Sequence, residues 1–107
     1  MSEYTPDRWV VIEFVTPSTT FQKVFAGWYG GFAGSDSWKL NSGITETRCN
    51  GDTFEFDGHS GSTYVCHKNG YGMSGYMSGI LARWQDQAFE RGDIQINILD
   101  LEDITVS

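Results

Sequence analysis

The stretch from Ser62 to Leu99 constrains the fold most, because it sets an apolar strand, a glycine-spaced loop, the one convincing helix and a second apolar strand in succession. Ser62-Thr63-Tyr64-Val65-Cys66-His67 is rich in β-branched and aromatic residues, as a half-buried strand requires. Lys68-Asn69-Gly70-Tyr71-Gly72 breaks it. From Tyr76 the apolar positions Met77, Ile80, Leu81, Trp84 and Ala88 form the stripe of an amphipathic helix over about 76–91. Ser74 or Ser78 supplies an N-cap oxygen and Gly92 a left-handed terminating residue. Beyond it Ile94, Ile96 and Ile98 alternate with Gln95, Asn97 and Leu99, so the isoleucines are expected to face inward. Trp84 sits at the centre of the stripe and is expected to seal the sheet, with a loss on the order of 3–5 kcal/mol on replacement by alanine.

The remaining strands follow the same logic. Arg8 to Thr16 sets Val10, Ile12 and Phe14 on one face and Trp9, Val11 and Val15 on the other. Apolar residues on both sides mark a central strand or one whose second face is covered by a helix. Phe21 to Tyr29 alternates likewise, with Val24, Ala26 and Trp28 opposite Phe21, Phe25 and Tyr29. Trp38 and Leu40 begin a short strand, and Ile44–Cys49 and Asp52–Asp57 read as a hairpin around Asn50-Gly51. That turn would pair Thr47 with Phe54 and Glu46 with Glu55, with Phe54 and Phe56 pointing to the core. Residues 1–7 read as a loosely held start. Five or six short strands, then the helix and a closing strand, give a mainly β (α+β) single domain over 1–107: a small antiparallel barrel or strongly bent sheet.

Charge bounds the partners. Fourteen acidic against seven basic residues leave a net charge of −7, and residues 49–107 carry nine acids and three bases. That field disfavours a phosphate backbone and suits a basic partner or solubility. No apolar run approaches 18 residues, so the expectation is a cytoplasmic protein that does not enter a membrane. Cys49 and Cys66 leave both free thiols and one disulfide open.

Three sets of residues bear on chemistry. Gly70-Tyr71-Gly72-Met73-Ser74-Gly75 is a literal G-x-G-x-x-G that opens a helix, the spacing of a phosphate cradle, with Asp100 some 25 residues beyond. Polar Lys68 and Asn69 before it, and the lack of further parallel βαβ units, favour a plain turn. Trp28, Tyr29 and Phe32, together with Trp38, Tyr64, Tyr71 and Tyr76, could stack on bases or sugars, though few have a basic neighbour. Cys49, His59, Cys66 and His67 match no zinc spacing, and adjacent Cys66 and His67 would point to opposite faces of a strand.

Trp28-Tyr29-Gly30-Gly31-Phe32-Ala33-Gly34-Ser35-Asp36-Ser37-Trp38 and Ser62-Thr63-Tyr64-Val65-Cys66-His67 resemble uncharacterised small proteins of marine tailed phages. That resemblance covers most of the chain and implies no activity and no catalytic residue. In outline the bent strands are similar to Sm-like barrels, an analogy of architecture alone. The expectation is a non-enzymatic module without cofactor or metal, acting by self-association or protein binding through its aromatic and glycine-rich loops. Its ligand-contacting residues would be Gly70, Tyr71, Gly72, Ser74, Gly75, Trp28, Tyr29 and Phe32. The alternatives are an oligonucleotide or nucleotide binder and, third, a small Cys/His enzyme.

Overall fold

Trp9 and Val10, neighbours in sequence, are buried in two different cores. Trp9 and Val11 point to one side of their strand and Val10 and Ile12 to the other, so this strand is the middle of a three-layer stack. The computed structural model describes residues 2–30 and 34–106. Its strands are β1 (Glu3–Tyr4), β2 (Arg8–Val15), β3 (Thr20–Trp28), β4 (Ser37–Leu40), β5 (Ile44–Asn50), β6 (Thr53–Gly58), β7 (Thr63–His67) and β8 (Gln95–Ile98). The α-helix α1 (Gly75–Arg91) separates β7 from β8.

The chain is mainly β, but among the described residues no closed barrel forms. The strands divide into two four-stranded sheets, ordered β1-β7-β6-β5 and β4-β3-β2-β8. The chain changes sheet where the β3–β4 ladder ends at Asn41. Its backbone N–H donates to the Val24 carbonyl (3.0 Å), while its side-chain oxygen accepts from the Val24 N–H (2.9 Å). The next segment therefore begins a new ladder instead of extending the old one. Between the sheets lie Trp9, Val11, Val24 and Ala26 from one and Phe54, Phe56, Tyr64 and Cys66 from the other. On the far side of the β2–β3 sheet, Met77 and Leu81 of α1 pack on Val10, Ile12 and Phe25. Leu99, Leu101 and Ile104 pack against the rim of the inter-sheet core.

Helix boundaries follow local chemistry. Ser74 is the N-cap, its hydroxyl accepting the Met77 N–H (3.2 Å), and Gly92 closes the helix at φ 78° with its N–H on the Ala88 carbonyl (2.9 Å). The helix approaches β3 closely because Gly27 has no side chain; a Cβ there would overlap the Met77 sulfur. The fully covered helical residues are Met77 and Leu81, whereas Trp84 is half-buried at the rim, its ring 5.0 Å from Phe25 and 5.2 Å from Trp38. The seal is thus made one and two turns earlier than the sequence pattern suggests.

Two further local expectations are corrected. Residues 3–4 are not loose: β1 pairs in parallel with β7, Tyr4 lies 5.2 Å from Tyr64, and Pro6 is buried. The hairpin loop is Gly51-Asp52, with Gly51 at φ 63°, so the turn moves by one residue, every cross-strand partner moves by two, and Asn50 faces Thr53. Thr47 now opposes Phe56, and Arg48 opposes Glu55 in place of the unfavourable glutamate pair. Phe54 and Phe56 still point inward because the slide preserves the period of two.

On the outer face of that sheet Arg48 donates to Asp57 (2.7 and 2.9 Å), Glu46 (3.3 Å) and Glu55 (3.3 Å). Hydrogen bonds from Arg48 first, then from the Thr63 hydroxyl, hold the Asp57 carboxyl at about 2 against an ordinary 3.8. A carboxyl depressed in the folded state stabilises the fold above its unfolded pKa, and that contribution disappears as pH falls from 3.8 towards 2. Because the pair is part-exposed, its expected worth is only about 1 kcal/mol. Arg48→Ala should therefore lower stability by about that much at neutral pH and flatten the pH dependence of the urea midpoint between pH 4 and 2.

Candidate functional site

The glycine loop is bound up with the start of β2. A Cβ on Gly70 would lie 2.9 Å from the Asp7 carbonyl, and Gly72, at φ 131°, has the Arg8 guanidinium where a side chain would be. The Tyr71 N–H donates to Lys68 O (3.2 Å), the Gly72 N–H to Trp9 O (2.8 Å), and Arg8 donates to Tyr71 O (3.3 Å). Ser74 caps the helix, and Gly75 is its exposed first residue. These glycines thus let the loop lie flat on β2, and much of its polar backbone bonds within the chain. The Tyr71 ring stands edge-on to Trp9 at 5.1 Å. Its hydroxyl is buried, and burial first, then Asp100 and Asp103, raises its pKa.

Trp28 belongs to a concavity apart from the glycine loop, and Tyr29 follows it in the chain without lining that concavity. Trp28 lies 6.3 Å from Tyr4 and donates from its indole to Thr5 O (3.0 Å). With Tyr4, Trp38 and Lys39 it lines a cleft of about 530 Å³. Tyr29 is exposed, its N–H on the Asp7 carboxylate (2.9 Å). Asp7 stands between this region and the glycine loop, but no hydrogen bond or ring contact among the described residues joins the two sets. Phe32 lies outside the described residues.

Cys66 is fully buried, and burial drives its thiol well above the ordinary range, which holds it in the protonated, unreactive form. Cys49 is exposed, and the two thiols are free. Among the described residues no group of three or more His, Cys, Asp or Glu side chains gathers where it could hold a metal ion. Among the described residues no helix is long and apolar enough to cross a membrane.

A further, largely apolar concavity is one that the motifs do not mark. Phe14, Leu40, Trp84, Ala88, Ile94 and Ile96 line a groove of about 290 Å³ between α1 and the β2–β3 sheet, with Gln87 and Arg91 at its border. It exists because Met77 and Leu81 seat the first half of the helix while its second half leaves Phe14 and Ile96 partly uncovered. Beside it, on the β8 flank of the helix, Phe89 is 87% exposed and borders a smaller depression with Ala88, Ile94 and Ile96. Phe21, stacked on Phe14 at 5.2 Å, Trp38 and Ile98 are also each about two-fifths exposed. The one local signal for this surface is Phe89, an aromatic immediately off the helical stripe.

Neither family models, curated proteins nor solved structures give a match to this chain.

Proposed function

We propose that the protein is a non-enzymatic assembly module that acts by self-association through the apolar flank formed by α1 and β8. The observation that carries this reading is Phe89, almost wholly in water beside a groove walled by Phe14, Trp84, Ile94 and Ile96. Contiguous apolar surface of this kind generally marks an interaction site. The Sm-like outline, which would need a ladder closing the two sheets, carries no part of this reading. The net charge of −7 on each copy opposes association at long range, so self-association should tighten as salt is added.

The test is sedimentation velocity over a concentration series. The wild-type protein is expected to shift from monomer to a larger species, and Phe89→Glu to weaken that association by about tenfold or more, the scale of losing one well-packed interface aromatic. Its melting temperature should hardly change, because an exposed position adds little to monomer stability. Wild-type protein that stays monomeric throughout would overturn the reading.

A second reading, stacking of a base or sugar ring, has one observation in its favour: the cleft lined by Tyr4, Trp28 and Trp38, with the Lys39 ammonium 5.2 Å from the Tyr4 ring. Short oligonucleotides or oligosaccharides that raise the melting temperature would favour it over self-association.

A further inference from the structure

We propose that the occupant of the α1–β8 flank is a second copy of this chain, joined edge to edge through β8 in antiparallel pairing about a two-fold axis; this rests on the self-association reading. Sheet edges that must stay unpaired are usually short, charged or bulged. Among the described residues, β1 has two residues and carries Glu3, β4 carries Lys39, and β5 carries Glu46 and Arg48 and is bulged between Ile44 and Glu46. β8, Gln95-Ile96-Asn97-Ile98, is as short as β4 but carries no charge and no bulge, and among the described residues it pairs with β2 alone.

Two features of β8 bear on a second copy: one fixes the register in which it can pair, the other makes the strand its own complement. The first is backbone phase. The Leu99 N–H donates to Val11 O (3.0 Å), and with Ile12 opposite Ile98 and Phe14 opposite Ile96 this fixes which residues bond to β2. Gln95 and Asn97 turn their N–H and C=O groups towards β2, so those of Ile94, Ile96 and Ile98 point outward. The second is the side-chain order. Ile94-Gln95-Ile96-Asn97-Ile98 reads alike in both directions, apart from one amide replacing another.

An antiparallel partner centred on Ile96 therefore sets Ile96 against its own copy, Ile94 against the partner's Ile98, and Gln95 against the partner's Asn97. Every outward backbone group then meets its complement, and no charge faces a charge. Centring the pair on Gln95 would leave Ile98 opposite Gly92, and centring it on Asn97 would leave Ile94 opposite Asp100. Only the Ile96 centre engages all three isoleucines. An axis of this kind stands perpendicular to the sheet, so both helices lie on one face and each Phe89 borders the seam.

Cross-linking reads the register directly. Gln95→Cys and Asn97→Cys are made separately on a Cys49→Ser background, Cys66 being buried. Directly opposed residues of a non-hydrogen-bonded pair have Cα atoms about 4.5 Å apart, within disulfide reach. Under mild oxidation the mixed variants should form covalent dimers at least tenfold faster than either alone. Ile98→Pro, which removes an outward N–H from an already exposed position, should abolish the dimer while preserving the melting temperature. A concentration-dependent dimer in sedimentation without preferential mixed cross-linking would overturn the β8 pairing and leave self-association standing. Monomer at every concentration would overturn both.

Discussion

Replacing Trp9 with alanine is expected to lower stability by about 3–5 kcal/mol, more than any other single truncation. That is a large share of what a domain of this size possesses. The indole is fully buried between the sheets, 5.5 Å from Phe56, 6.1 Å from Phe54 and 5.1 Å from Tyr71. Its N–H donates to the His67 carbonyl at 2.7 Å, tying β2 of one sheet to the end of β7 in the other. Truncation removes the largest core side chain and also leaves that carbonyl without its partner, a loss of about 1 kcal/mol more. Chemical denaturation gives the number directly. A loss under about 1 kcal/mol would mean that the sheets do not meet on this residue.

The second large effect is expected at Leu81, where truncation to alanine should cost about 2–5 kcal/mol. Leu81 is nearly inaccessible and packs with Met77 on Val10, Ile12 and Phe25, so the vacated volume cannot fill with water. Trp84→Ala should cost clearly less, although tryptophan is the larger side chain, because its ring lies at the rim of the groove and already meets solvent. Thermal melts of the two variants should place Leu81→Ala below Trp84→Ala by several degrees. The reverse order would return the seal to the indole, where the sequence pattern alone puts it.

That contrast shows how far the sequence reaches. The two apolar faces of Trp9-Val10-Val11-Ile12 announced a strand covered on both sides, and the structure supplies a sheet on one side and a helix on the other. Gly92 marked the helix C-terminus and Ser74, one of two candidate caps with Ser78, its N-terminus, through chemistry confined to one turn. Other features depend on residues far apart in the chain. The pairing of Glu3 with Thr63, and the division into two sheets, leave no local pattern in either partner. The glycines at 70 and 72 have the spacing of a phosphate cradle, but their reasons are Asp7 and Arg8, some 60 residues away. The hairpin turn lies one residue further on than Asn50-Gly51 suggests, and in that register Arg48 interacts with three carboxylates at once, which pairwise turn rules do not weigh. The exposure of Phe89 and the open edge of β8 appear only once the helix is seated.

The β8 pairing is read most directly by amide hydrogen exchange, followed residue by residue at low and high protein concentration. Val10, Val11 and Ile12 are expected to exchange slowest at both, as the covered middle strand. Ile96 and Ile98 should exchange quickly when dilute and gain strong protection when concentrated. Protection at Ile96 and Ile98 that is the same at both concentrations would contradict that pairing.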